Sequence, residues 1–417
     1  MARPGHTCSR LDFMSSEAAC GAVNAPKNSH VTDEPAGAIP QLVEPWFDST
    51  EYLDRLGCVQ SEVRRRGLDG LLLFQPESIT WLTGFFTRGY ASFQFAAVPS
   101  SGHPSVCCRD VEAYYLDRTC VFTGRALWTD CDIPISVGVD LICRLFGDSA
   151  RLGIELSAWP LSAHRFDSLK EAMPAVDFVD ASDLAAGLRL IKSAAEIEFI
   201  RRAARAAEAG MHAAAGVAVP GNSERDLAAT VSAALIRAGS DVPGPGVLSS
   251  GEGAYHLHGS FTDRVFAPGD TVQLETLPCV RHYHARFMRP IKVGRASADD
   301  QVLAERLIEI QDAALAHVAP GVPATVPDEI YRRGVLEAGL ADRYTNKTFY
   351  SIGLMLAPTG GESLDASPEA TWDFEAGMTL HTYVLARDFG MSETILITDS
   401  GYERLTNFPR ELIVGGV

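Results

Sequence analysis

The sequence predicts an α+β protein in two ordered parts: an N-terminal α/β domain, then a C-terminal domain made by internal duplication. Three observations predict it. Short apolar runs alternate with helical patterns between residues 48 and 185, the signature of strands covered by helices. A helix–Pro-Gly–helix–strand pattern then occurs twice, with a period of about 100 residues that is too long for a solenoid. The hydrophobic fraction, 46% of 417 residues, is that of a chain with large cores.

The elements follow in order. Residues 1–44 are rich in Ser, Ala, Gly, Asn and Pro without periodicity and read as a loose tail. Asp48-Ser49-Thr50-Glu51 is a cap for a helix running to Arg66 and stopped by Gly67. Leu71 to Phe74 is a buried strand, and Gln75-Pro76-Glu77 reads as a turn after it. Strands recur around Phe95–Val98, Leu152–Leu156 and Val176–Val179, with a helix over Ser162–Ala172, so residues 45–185 form the first domain. The second, residues 186–417, opens with the capping box Ser193-Ala194-Ala195-Glu196. A helix to about Val217, Pro220-Gly221, a helix from Ser223 to Ala238 and Gly239 make the first copy. A helix over about 299–318, Pro320-Gly321, a helix over about 327–338 and Gly339 make the second. Strands follow each copy, at 271–293 and 378–398, which predicts a pseudo-twofold domain with a site between its halves.

Composition excludes several classes. Lys+Arg number 36 and Asp+Glu 53, a formal charge of 36 − 53 = −17, which argues against nucleic-acid binding through a positive field. No apolar run approaches the roughly 20 residues of a membrane span, and no apolar leader is visible at the N-terminus. Nine cysteines, an odd number without a Cys-x-x-Cys pair, are read as reduced thiols of a cytoplasmic protein.

His258, Pro268-Gly269-Asp270-Thr271-Val272, Tyr283 to Arg289 and Glu375-Ala376-Gly377-Met378 stand in a fixed order, ahead of Ile395 to Gly401 with Leu405-Thr406 and Phe408-Pro409. Together these segments resemble the creatinase/aminopeptidase P superfamily over residues 48–417. The resemblance implies the pita-bread fold for the C-terminal domain, a creatinase-like N-terminal domain, and a homodimer with shared active sites. Most of that superfamily hold two metal ions with two Asp, one His and two Glu. Here the corresponding positions carry Glu275, Arg286, Tyr350 or Ser351, Tyr383 and Ser392. Two divalent cations need several carboxylates, and Arg286 puts a fixed positive charge where a metal would sit, so no metal and no other cofactor is expected. Within the superfamily four stretches are similar to the ectoine hydrolase branch: Trp81 to Gly84, Glu275 with Cys279 and Tyr283-His284, Tyr350 to Leu354, and Ser392 to Ile395. Ser363 departs from it, where an Arg is expected, and so does Thr87-Arg88-Gly89, where a Trp is expected.

The candidate residues follow from chemistry and from this resemblance. His258, in a polar segment, is the expected proton shuttle, since a neutral imidazole takes a proton from water and passes it to a leaving nitrogen. Glu275 alternates with Val272, Leu274 and Thr276 in a strand, and a carboxylate there either attacks carbon, activates water, or pairs with Arg286 or Arg289. Those two arginines, three apart, face opposite sides of a strand; Arg286 is the one expected to meet a substrate carboxylate or an acidic side chain. Tyr383, Glu393 and Glu362 are expected substrate contacts at positions the resemblance implies. His282 and His284 are read as structural or surface residues. In the aromatic cluster Trp81, Phe85, Phe86, Tyr90 and Phe93, core packing competes with cation–π binding of a cationic solute by Tyr90 and Phe93, and Arg88 is a candidate clamp for a carboxylate.

The sequence therefore predicts a metal-independent hydrolase that cleaves a C–N bond of a small zwitterionic or cationic solute. An ectoine hydrolase-like ring opening to an N-acetyl-diaminobutyrate leads, and a creatinase-type amidinohydrolase comes second. The rivals are a non-catalytic binding protein on the same fold and, last, a metal-dependent Xaa-Pro peptidase.

Overall fold

A computed structural model describes residues 45–356 and 361–416. The predicted tail and Pro358-Thr359-Gly360 lie outside the described residues. Helix α1 (Ser49–Arg65) opens the N-terminal domain, although Asp48 makes no side-chain capping bond. Strands β1 (Gly70–Leu73), β2 (Phe95–Pro99), β3 (Ser105–Arg109), β4 (Gly124–Trp128), β5 (Arg151–Ile154) and β6 (Asp177–Asp180) form one mixed sheet in the order β4-β3-β2-β1-β5-β6. Alternation divides its side chains cleanly. Leu71, Leu73, Ala96, Val98 and Cys108 face α1, α2 (Pro76–Thr83) and, later in the chain, α6 (Ser182–Leu188). Leu72, Phe74, Phe95, Ala97 and Cys107 face α4 (Pro134–Phe146) and α5 (Ala163–Ala172), which follow the short α3 (Ala113–Thr119). A sheet covered on both faces needs apolar residues at every position, which is why β1 reads as a continuous run.

Two expectations are corrected here. Gln75-Pro76-Glu77 is not a turn but the start of α2, because a proline fits the first helical position, where its missing N–H costs nothing. The sequence reading also passed over β3 and β4; β3 carries the buried pair Cys107-Cys108, thiols that behave as small apolar groups. The cysteines among the described residues are free, and these two point to opposite faces of the sheet.

The C-terminal domain begins at the Ser193 capping box, whose two reciprocal bonds are both present at the head of α7 (Ala194–Val217). Helix α8 (Glu224–Arg237) follows, then β7 (Pro245–Ser250), β8 (Thr271–Thr276), the hairpin β9 (Cys279–Val280) and β10 (Tyr283–His284), and β11 (Phe287–Val293). The second copy is α9 (Ala298–Leu315), α10 (Thr325–Glu337), β12 (Phe349–Ser351), β13 (Asp365–Ala366), β14 (Thr379–Ala386), β15 (Phe389–Ile397) and β16 (Tyr402–Arg404), and β17 (Ile413–Gly415) returns to the first sheet. The two sheets run β17-β11-β8-β7 and β13-β12-β14-β15-β16. They meet along β11 and β15. Hydroxyls stitch the seam: Thr394 Oγ1 accepts from Arg286 N at 2.9 Å and donates to Arg286 O at 2.8 Å, and Ser392 Oγ accepts from Met288 N at 2.7 Å. This is the pita-bread architecture. One apolar core runs without a break from the N-terminal sheet through α7 to Val280, Tyr283 and Leu354, so the first domain buttresses the second. Among the described residues no helix is long and apolar enough to cross a membrane.

Candidate active site

A cavity of about 830 Å³ opens where the two halves of the C-terminal domain face each other, a size suited to one small solute. Its walls come from both copies: Glu275 on β8, His284 on β10, Arg286 and Met288 at β11, Tyr350 on β12, and His381 and Tyr383 on β14. Pairing fixes this convergence. Glu275 stands opposite Met288, and Tyr350 opposite His381.

Glu275 is 7% exposed, and burial pushes its carboxyl above the ordinary value of 4.5, opposed by the charge of Arg286 and then of His258. Arg286 Nη1 donates to Glu275 Oε1 at 3.4 Å and to the Tyr350 hydroxyl at 2.7 Å. The guanidinium thus touches the carboxylate that would otherwise receive a metal. Burial pushes the phenols of Tyr350 and Tyr383 up, so both remain protonated donors. Among the described residues no group of three His, Cys, Asp or Glu could hold a metal ion. The donor set does not fit two divalent cations: Glu275 is paired to a cation, Tyr350 and Tyr383 are protonated, and Ser392 is committed to the sheet seam.

His258 reaches the mouth of the cavity from the loop after the 3₁₀ turn Gly251–Tyr255, with φ of 70°. The left-handed conformation costs a non-glycine residue about 1 kcal/mol or more and is held by its surroundings. Leu248 N donates to the Gly259 carbonyl at 3.1 Å, tying the loop to β7. A Cβ at Gly259 would stand 2.7 Å from Ser249 Cβ, so the close approach that aims His258 requires glycine there. His258 also borders a second, smaller cavity lined by His256, Glu252 and Arg264.

The structure brings four expected residues together at one site: His258, Glu275, Arg286 and Tyr383. It places the others elsewhere. Glu393 is fully buried beyond the seam, where Arg289 Nη2 donates to it at 2.6 Å, Thr406 Oγ1 also donates, and Arg404 and Arg410 stand 3.6 Å away. A carboxylate among three guanidiniums is a core ion cluster, not a substrate contact. Glu362 accepts from Lys192 Nζ at 2.6 Å and Arg189 Nη2 at 2.9 Å, which ties the strand-side loop to the interdomain connection. Phe93 is packed against Phe74 and Phe95 in the N-terminal core, and its carbonyl accepts from Trp128 Nε1. It has no free face for a solute. The Tyr90 hydroxyl donates to Leu356 O at 3.3 Å, behind the cavity wall rather than in it. Arg88 is exposed; its charge helps to lower the pKa of His282.

Sequence reading also missed residues that line the cavity: His282, His284, Lys347 and His381. His282 was expected on a strand but is the second residue of a two-residue hairpin turn, Arg281-His282, with φ of 50° and 59°. Two positive φ values define a turn that normally uses Asn-Gly. Trp46 and Phe86 of the N-terminal domain pack on its ring at 6.1 and 4.6 Å, and burial lowers the His282 pKa to about 4. For His284 and His381 a signal existed. Each lies two residues before an expected site residue, Arg286 or Tyr383, and period-two alternation puts such pairs on one face.

Comparison with known proteins agrees with the two-domain fold. The model of Metallopeptidase family M24 matches residues 198–399, and that of the Creatinase/Prolidase N-terminal domain matches 55–191. The chain is similar to an ectoine hydrolase of Halomonas elongata, 27% identical over 406 residues that cover 88% of this chain and 98% of that protein. It is similar also to a probable dipeptidase PepE of Mycobacterium tuberculosis, 25% identical over 376 residues with 88% and 98% covered. The crystal structure of dipeptidase PepE from Mycobacterium ulcerans superposes with a TM-score of 0.78 at 24% identity, covering 88% of this chain and 99% of that one, which speaks for the fold alone.

Proposed function

The chain is a member of the creatinase/M24 superfamily of hydrolases, and on that premise we propose that it is a metal-independent enzyme that opens a C–N bond of a small amidine-like zwitterion, as an ectoine hydrolase does. The observation that carries the proposal is the exchange of ligands for non-ligands around a retained carboxylate. Arg286 and Tyr350 contact each other and Arg286 contacts Glu275, in a cavity of solute size. An amidinium carbon is electrophilic without a Lewis acid, because its own positive charge is neutralised as an oxygen adds.

In this reading Glu275 attacks that carbon or draws the proton from an attacking water. One C–O bond forms, the C–N bond breaks, and the departing nitrogen takes a proton from His258 at the cavity mouth. Water supplies the remaining atoms, so a cyclic amidine opens to an amide bearing a free amine. Burial favours the neutral acid of Glu275, and the charge and hydrogen bond of Arg286 oppose that by favouring the carboxylate.

Ectoine, creatine and an Xaa-Pro dipeptide distinguish the readings when supplied to metal-stripped protein. The expected outcome is hydrolysis of an amidine or guanidine solute that survives prolonged chelation. Two tightly bound metals per chain, with peptide hydrolysis restored only by metal, would sink the proposal. Binding without turnover across the whole panel would assign a binding protein instead.

A pH profile tests the role of Glu275. Only its carboxylate can act, and its pKa is raised from 4.5 by burial. Activity should therefore be lost as pH falls through a value above 4.5, and kcat/KM reports that limb for the free enzyme. An acid limb at or below 4.5 would contradict the assignment.

A further inference from the structure

Two buried imidazoles in the cavity have nitrogens without a hydrogen-bond partner among the described residues. His284 is 4% exposed and His381 1%. His284 Nε2 lies 2.9 Å from the Met355 carbonyl. A carbonyl only accepts, which assigns the proton to Nε2 and leaves a lone pair on Nδ1. Among the described residues that Nδ1 has no partner, and neither ring nitrogen of His381 has one. His381 Nε2 stands 3.9 Å from Glu275 Oε1, too far for a hydrogen bond, with its ring stacked on Tyr383. Each unpaired buried polar atom costs stability, and native proteins rarely tolerate one without a use.

We propose that His284 is a specificity-determining residue of this site, its Nδ1 accepting an N–H of the ligand beside Glu275, with His381 as the second imidazole of the same wall. The inference rests on the reading of the cavity as a solute site and names the ligand class more closely: a carboxylated amidine or guanidine with free N–H groups. Glu275 and His284 together present acceptors, while Nη1 of Arg286 already serves Glu275 and Tyr350. Such a wall recognises a group rich in N–H. The tertiary amide nitrogen of an Xaa-Pro bond has no hydrogen to give it. Burial and the nearby Arg286 hold both imidazoles neutral, His284 down to about 3, so the lone pair persists at neutral pH.

Two substitutions separate this role from a structural one. His284→Gln places an amide where Nε2 was, keeps the bond to Met355 O, and leaves nothing at Nδ1. His284→Asn restores a polar atom near Nδ1. Calorimetry on the full chain would compare ectoine, a zwitterion with N–H donors, with glycine betaine, a zwitterion with none. His284→Gln is expected to weaken ectoine about tenfold to a hundredfold, the worth of one hydrogen bond to a charged group. Glycine betaine affinity should not change, and His284→Asn should recover most of the loss. An unchanged ectoine-to-betaine ratio in a folded His284→Gln protein overturns the inference, even where wild type hydrolyses ectoine and the functional reading stands. A fallen ratio with no hydrolysis by wild type leaves the inference standing and removes the enzymatic reading. Wild type that binds neither ectoine nor creatine removes both.

Discussion

Glu275→Gln is expected to abolish turnover while leaving ligand binding measurable. The amide keeps the shape of the side chain and an oxygen that can accept from Arg286 Nη1, now 3.4 Å away, but it can neither attack carbon nor take a proton from water. The loss should reach about 10³-fold or more in kcat, because the group supplies the reacting atom or its base. His258→Ala should cost about 10²–10⁴-fold, or about 3–5 kcal/mol of barrier, as befits a positioned proton donor. The double variant should be little worse than the worse single one, since residues acting in one step are not additive. Thermal unfolding must accompany the kinetics, because Glu275 pairs with Arg286 inside the protein and breaking such a pair destabilises on its own. A folded Glu275→Gln protein that turns over ectoine or creatine at near wild-type rate would remove Glu275 from the mechanism.

The second large effect falls on stability rather than on catalysis. Glu393→Ala removes the carboxylate that Arg289, Arg404 and Arg410 share, and of these Arg410 keeps a second acidic partner in Asp312. Arg289 has no exposed surface, and its other donors are already held by the carbonyls of Met288, Ser392 and Pro409. Stranding that charge should cost about 3–5 kcal/mol. At roughly 2–4 °C per kcal/mol for a domain of this size, the melting temperature should fall by about 6–20 °C. Ligand affinity of the protein that remains folded should be unchanged. The opposite pattern, lost affinity with an unaltered melting temperature, would return Glu393 to the substrate site. Removing both charges with Glu393→Leu and Arg289→Met should recover much of the loss, because an apolar pair needs no compensation.

Local signals account for most of the fold. The Ser193 box, the two Pro-Gly joints and the glycines after each helix are punctuation whose effect spans a few residues, and they mark the duplication in the bare sequence. Glu275 and Arg286 were legible through the positions that the resemblance implies, and strand alternation added only which neighbouring side chains share a face. His258 was legible through the resemblance, although its left-handed backbone and the contact of Gly259 with Ser249 were not.

What alternation cannot fix is which face meets the cavity and which meets another sheet. Glu393 and Ser392 are neighbours in β15, yet one is neutralised by Arg289 and the other is bonded to Met288 N, because β11 lies along β15. Glu362 could not be known as a tether without Lys192 and Arg189, which lie 170 and 173 residues earlier. Phe93 and Tyr90 share one short aromatic segment, and only packing decides that the first fills a core while the second braces Leu356. The sequence by itself determined the α+β class and the duplication, because both are written in spacing along single helices and strands, and the carboxylate with its arginine was legible through the resemblance. The tertiary structure alone decided which charges are spent on one another and which imidazoles are left open, because burial and partnership depend on segments brought together from distant parts of the chain.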